Sequence, residues 1–331
     1  MEVQVAVVGG GVMGLMTGCA LARRGVDHVV LERFAVGHDR GSSHGATRIF
    51  RYLYDDPLYV AMAARTELMW RDFDGVLEMT GGVQIDEPSV LDRFRAAMEP
   101  WGVRTKLDAG KMWLDKMGVL SASRAIQLAK ERVSVREHMP VESLEVRDDA
   151  VVIATPDGPL RVKRCVLAAG AWITNLVDLP VRVTREQVLY FEGDTSAMLP
   201  WVHGLGHWIY GIPRDGVVKV AEHTTGAETT ADSRSFDLDE AGAERVCSYV
   251  REFLPHLDPT PTGFETCLYT NTADADFILD ARGPVVVVSA CSGHGFKFAP
   301  LIGEIGACLA LDEPPPLDPR AMSRFESARF R

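Results

Sequence analysis

Val3-Gln4-Val5-Ala6-Val7-Val8-Gly9-Gly10-Gly11-Val12-Met13-Gly14 opens the chain and decides its fold. Val3 to Val8 is a short apolar run of strand character, and the glycines follow at once. An alanine- and leucine-rich segment of helical character then runs to Arg24, where Gly25 stops it, and a second apolar run ends at Leu31-Glu32. Strand, G-x-G-x-x-G, helix, strand and acid in this order form the dinucleotide-binding fingerprint in its structural setting. Gly9 permits the tight turn, Gly11 lets a pyrophosphate approach the backbone, and Gly14 lets helix and strand pack closely. Glu32 stands at the ~20-residue spacing where a carboxylate accepts hydrogen bonds from a ribose, and its charge disfavours a nucleotide with an extra 2′-phosphate.

A second corner lies near the other end. The apolar run Val285 to Val288 leads into Ser289-Ala290-Cys291-Ser292-Gly293-His294-Gly295-Phe296-Lys297-Phe298, and a helical segment, Leu301 to Leu311, follows. A strand that turns through Gly-His-Gly into a helix leaves backbone N–H groups free at the helix start, which attracts negative charge. Lys297 adds an ammonium at the same place. Beside the fingerprint, this corner reads as the other half of a flavin site.

At 331 residues the chain is long enough for two domains. Its 47% apolar and 24% charged content is that of a soluble globular protein. A net charge of −11 argues against nucleic acid or an anionic membrane surface as partner. No apolar run approaches the ~20 residues that span a bilayer, and a strand starting at residue 3 leaves no room for a leader. Six scattered cysteines (19, 165, 247, 267, 291 and 308) lack metal-ligand spacing, so no metal is expected and a reducing cytoplasm fits. Cys19 and Cys308 read as buried hydrophobes.

Further strands are expected over Val133 to Val135, Val151 to Ala154 and Cys165 to Ala168, and a helix over Leu58 to Phe73. Alternating runs at Gln187 to Glu192, His207 to Ile212 and Val217 to Ala221 predict an antiparallel sheet. The pattern implies one discontinuous nucleotide-binding domain (1–80, 121–184 and 281–331) interrupted by a substrate domain (81–120 and 185–280).

Four blocks together resemble the monomeric sarcosine oxidase group of amine-oxidising flavoproteins, with its N-methyltryptophan and pipecolate oxidase relatives. They are the fingerprint with Glu32, then Gly41-Ser42-Ser43-His44-Gly45-Ala46-Thr47-Arg48-Ile49-Phe50-Arg51, then Cys267-Leu268-Tyr269-Thr270 leading to Asp276-Phe277-Ile278-Leu279-Asp280, and finally Ser292 to Lys297. A weaker fifth runs from Tyr210-Gly211-Ile212-Pro213 to Lys219 and His223. The resemblance implies an α/β fold: a Rossmann-like FAD-binding domain of glutathione-reductase type with an inserted antiparallel-sheet substrate domain. It also implies FAD bonded through Cys267, with Gly9, Gly11, Gly14, Glu32, Arg33, Ser43, His44, Arg48, Gly293, Gly295 and Lys297 around the cofactor. Arg51 and Lys297 match the pair that grips a substrate carboxylate, since arginine offers two parallel donors and lysine a point charge. Tyr210, Tyr269 and His223 match residues lining the substrate cavity. Lys219 matches the lysine that promotes reaction with O₂.

The implied activity is oxidation of an amino acid, or a cyclic or secondary imino acid, to an imine by hydride transfer to flavin. Hydrogen peroxide is formed from O₂. A dehydrogenase with another electron acceptor and a degenerate, non-catalytic flavoprotein stay open as alternatives. The chain is shorter than its relatives between Gly82 and Gly118 and after Leu311, so the roof over the substrate is expected to be thinner. A monomer is implied, with a dimer plausible where a thin roof needs completion. Trp113, Trp201 and Trp208 could supply an aromatic wall, but core or surface packing is the preferred reading for any one of them.

Overall fold

The computed structural model describes residues 3–330. The fingerprint forms as expected: a strand at Val5–Val8, a helix at Val12–Arg23 and a strand at His28–Leu31, all three deeply packed. These strands sit in the middle of a six-stranded sheet. Its order is Ile278–Arg282, Val285–Ser289, Arg164–Leu167, Val5–Val8, His28–Leu31 and Val135–Arg136. All neighbours are parallel except the first pair. Parallel strands buried on both faces read as continuous apolar runs, which is why Val5–Val8 and Val285–Ser289 carry no polar alternation.

The helices Val12–Arg23 and Ala299–Ala310 pack on one face of this sheet. Gly303 permits their close approach, because a Cβ there would lie 2.4 Å from the carbonyl carbon of Met16. Pro57–Trp70 joins them, its N-terminus capped by the Asp56 carboxylate. The main core lies between these helices and the sheet.

The second large unit is a nine-stranded sheet built around Val181–Glu192, Gly263–Thr272, Val217–Glu222 and Ile209–Arg214, all antiparallel. It continues through Trp201–His203 and Gly82–Ile85, which pair in parallel, to a hairpin of Thr105–Asp108 and Lys111–Leu114. A small sheet of Thr47–Arg51, Met117–Ser121 and Leu77–Glu78 bridges the two large ones. An eleven-residue helix, Pro88–Met98, occupies the shortened segment after Gly82. Among the described residues no helix is long and apolar enough to cross a membrane, and no cluster of metal-ligating side chains occurs.

Candidate active site

Between the two large sheets lies a cavity of about 700 Å³, within the ~300–1,000 Å³ range of small-molecule and cofactor sites. Every expected site residue except Gly14 lines it.

At one end the glycine turn forms a backbone cradle. Gly9 has φ +108°, and a Cβ there would fall 2.4 Å from the Ala168 carbonyl oxygen. A Cβ on Gly14 would fall 1.9 Å from the Gly9 oxygen, so Gly14 shapes the turn from behind. The helix that follows has no side-chain cap, which leaves first-turn donors for an anion. Ser43 Oγ accepts one of them, from Val12 N–H at 3.1 Å. Glu32 is buried and accepts from Gly10 N–H at 2.6 Å and Phe34 N–H at 2.8 Å. Each carboxylate oxygen keeps a lone pair for a ribose hydroxyl. Arg33 extends the rim, with its guanidinium 6.0 Å from the Trp172 ring and 3.7 Å from the Asp232 carboxylate.

In the middle, the loop from Ser42 to Thr47 is held by Arg48, whose guanidinium donates to the carbonyls of Ser42, His44 and Thr47. Burial, then Arg48, lowers the His44 pKa to about 4, so the imidazole is neutral at physiological pH. Cys267 stands half-buried on the strand Gly263–Thr272 as a free thiol, its pKa pushed up to about 11 by burial. Lys219 is buried on Val217–Glu222 and donates to the Thr47 carbonyl at 2.8 Å. Burial, then repulsion from Arg48, brings its pKa down to about 7.

The far wall carries two cations without a carboxylate. Arg51 ends the strand Thr47–Arg51 with its guanidinium 5.2 Å from the Tyr54 ring. Lys297 is buried and donates to Tyr54 Oη at 2.9 Å and to the His294 carbonyl at 2.6 Å. Among the described residues no acid lies within 4.0 Å of either cation. Burial, and then Arg51, drives the Lys297 ammonium well below its usual range. His223 and His294 are lowered to about 4 and about 3, burial again the main cause. The two imidazoles are therefore neutral, and the repulsion that remains is between Arg51 and Lys297, which an incoming anion would relieve while favouring the protonated lysine.

Tyr269 Oη lies 3.4 Å from His223 Nδ1, and both rings press on Gly293. A Cβ at Gly293 would come within 2.5 Å of Tyr269 and 2.6 Å of His223. Gly295 is required for a different reason: its Cβ would meet the Ala290 carbonyl oxygen at 1.9 Å. Tyr210, on Ile209–Arg214, completes this side.

The three tryptophans have different places. Trp201 belongs to a core cluster, its indole N–H donating to Tyr249 Oη at 3.1 Å. Trp113 does not line the cavity, and only Trp208, 60% exposed, stands at its mouth. The 289–298 turn uses part of its own donors internally, since His294 and Gly295 N–H both bond the Cys291 carbonyl. Tyr54, His294, Gln84 and Asp86 line the cavity without having been singled out as site residues. Tyr54 meets Lys297 from the far end of the sequence, so no local pattern marks it; Gln84 and Asp86 share one strand face at i, i+2 spacing.

The cradle tests whether a dinucleotide flavin fits. At Gly9 any side chain would collide with backbone, and the cavity leaves His44 Nδ1 and Thr270 Oγ1 buried without a partner. Both residues line the cavity, and unsatisfied buried polar atoms beside a glycine-walled cradle fit a site completed by a further polar group. A family model described as FAD dependent oxidoreductase (DAO) matches residues 4–309. This chain belongs to that family. It is 28% identical to monomeric sarcosine oxidase of Bacillus sp. (strain B-0618), over 93% of this chain and 92% of that protein. It is also 28% identical to N-methyl-L-tryptophan oxidase of Shigella dysenteriae, covering 98% and 100%. Among solved structures, NikD, an amino acid oxidase of nikkomycin biosynthesis, superposes with a TM-score of 0.85 at 23% identity, covering 96% of each chain. L-proline dehydrogenase from P. horikoshii gives 0.85 at 18% identity, covering 99% and 98%. These structural likenesses concern the fold: a parallel Rossmann-type sheet joined to a second, largely antiparallel one.

Proposed function

We propose that this FAD-dependent oxidoreductase oxidises the C–N bond of an α-amino acid, or of a secondary or cyclic imino acid, to an imine. The observation that carries the reading is the pair of acid-free cations, Arg51 and Lys297, on the wall of the flavin cavity. Bound FAD supplies the acceptor for the hydride. The protein's own residues supply position and charge. Arg51 offers a planar pair of donors to a carboxylate, and Lys297, oriented by Tyr54 Oη, adds a point charge. The neutral rings of His223, Tyr269 and Tyr210 wall off water without competing for the carboxylate. No general base is required if the substrate amine binds neutral, its nitrogen lone pair forming the C=N bond.

Glycines 9, 11, 14, 293 and 295, with Glu32, Arg33, Ser43, His44 and Arg48, are assigned to holding the cofactor. Cys267, a free thiol facing the same space, is assigned its covalent attachment. Lys219, half-protonated near neutrality, is assigned to assisting O₂, because the first reduced oxygen species is an anion. Residues 1–80, 121–184 and 281–331 serve the nucleotide and 81–120 with 185–280 the substrate. A monomer is assigned, and six unpaired cysteines favour a reducing cytoplasm.

The test is Arg51→Ala. Losing a charge-assisted pair of hydrogen bonds of about 1.5–3 kcal/mol should raise KM for amino-acid substrates by about 10- to 100-fold. Unchanged KM removes Arg51 from the reading.

A further inference from the structure

Opposite in character to the cationic wall, the cavity's lining along Gly82–Ile85 and the turn after it is made of hydrogen-bond acceptors. Gln84 is 2% exposed and Asp86 9% exposed, and both residues line the cavity. Gln84 Nε2 donates to Asp86 Oδ2 at 3.0 Å. That contact fixes the amide's orientation, because the reverse would set two acceptors against each other. Gln84 Oε1 is thereby left buried with no partner. Asp86 Oδ1 accepts from Glu87 N–H at 3.0 Å. Its carboxylate presses so closely on Gly204 that a Cβ there would lie 2.1 Å from Oδ2.

A buried carboxylate normally has a cation, and this one has none. Among the described residues no lysine, arginine or histidine nitrogen lies within 4.0 Å of it. Arg93, on the same lining, is turned to Asp55 at 3.8 Å. Lys111 sits opposite Ile85 in the strand ladder with its side chain exposed. His203 is held neutral, its pKa lowered to about 4 by burial and by His207. An uncompensated carboxylate on the lining of a cavity, oriented by a buried amide, is a binding site for a donor-only group.

We propose that Asp86, oriented by Gln84, recognises a cationic hydrogen-bond donor, an ammonium or guanidinium, at the end of the substrate's side chain. The inference rests on the amino-acid reading above and narrows it: the substrate carries its carboxylate at the Arg51 wall and a positive group at the Asp86 wall. Val90, Phe94 and Val202, also on the cavity lining, supply apolar surface for an aliphatic stem. The small glycine at 204 leaves the carboxylate room that a larger residue would close.

The experiment measures flavin-linked turnover of the holoenzyme on L-lysine, L-arginine and L-norleucine, each free and N-methylated. Norleucine matches the lysine stem without its charge. The expected result is a lysine-to-norleucine ratio of kcat/KM of about 10 to 100, the worth of a charged hydrogen bond. In Asp86→Asn that ratio falls to about one. Should that variant lose its flavin or fail to fold, Gln84→Leu provides the same comparison, with the ratio reduced several-fold. Norleucine oxidised as well as lysine by the wild type overturns the inference and leaves amino-acid oxidation standing. Failure of every member of the panel, and of small neutral amino and imino acids, to reduce the flavin overturns the parent reading instead.

Discussion

Lys219→Met removes a buried charge and should change the pH dependence of stability in a way that can be worked through. The Lys219 ammonium is 5% exposed, has one hydrogen bond, to the Thr47 carbonyl, and is repelled by Arg48. In the unfolded chain it titrates near 10.5, and in the folded protein near 7. Below about pH 7 both states carry the proton, and the folded state bears the whole penalty of burying it. Between about 7 and 10.5 the unfolded chain holds one proton more, so stability rises with pH by about 1.4 kcal/mol per pH unit. The full interval amounts to at most about 5 kcal/mol, which relaxation and water entry reduce. Methionine has no proton to lose, but it removes one of two donors from the Thr47 carbonyl, which keeps its hydrogen bond from Arg48, at a cost of about 0.5–1.5 kcal/mol at every pH. The variant is therefore expected to be more stable than the wild type by about 2–4 kcal/mol at pH 6 and less stable by about 0.5–1.5 kcal/mol above pH 10. Urea denaturation of both holoproteins, at equal flavin content and followed by circular dichroism at pH 6, 8 and 10, gives the difference directly. Parallel stability curves would refute the claim that Lys219 is buried as an uncompensated cation.

Other consequences can be tested with single variants. The same Lys219→Met protein should lose more in the rate of flavin reoxidation by O₂ than in anaerobic reduction, which stopped-flow absorbance separates; equal losses would end its assignment to oxygen. Gly14→Ala drives a methyl group toward the Gly9 carbonyl at 1.9 Å, so flavin content after purification should collapse, with full occupancy refuting the cradle geometry. Acid precipitation of the wild type should leave yellow colour in the washed pellet, and Cys267→Ala should release it to the supernatant. Colour in the supernatant from the wild type removes the covalent bond but not the fold.

The parts of this site that the sequence discloses are those whose chemistry is local. Gly9, Gly11, Gly14 and Glu32 stand at spacings set by one strand, one turn and one helix, so the nucleotide end can be read directly. Arg51 and Lys297 cannot be paired by any spacing rule, because two sheets and the whole substrate region separate them; the resemblance of their blocks to a known family brings them together. Tyr54 and His294 escape for the same reason, as each acquires its role only through Lys297. Trp201 and Trp208 look alike in sequence and differ in fate because of register. Trp201 pairs with Gly211 across the ladder and lays its indole over that glycine, 2.0 Å from where a Cβ would be. Trp208, with φ +50°, sits just before the next strand and is left in solvent. Gln84 and Asp86 are hidden by ordinary strand alternation, which does not reveal that their face looks into a cavity rather than into water.

Everything proposed for this site requires that a flavin held between the two sheets take electrons from an amino or imino acid. Anaerobic titration of the purified yellow protein with a panel of free, N-methylated and cyclic amino acids, followed by absorbance and then by admission of air, tests it most directly. Bleaching of the flavin band by at least one member of the panel is expected, with recovery of colour and stoichiometric hydrogen peroxide in air. A flavin that every member of the panel leaves fully oxidised would contradict it.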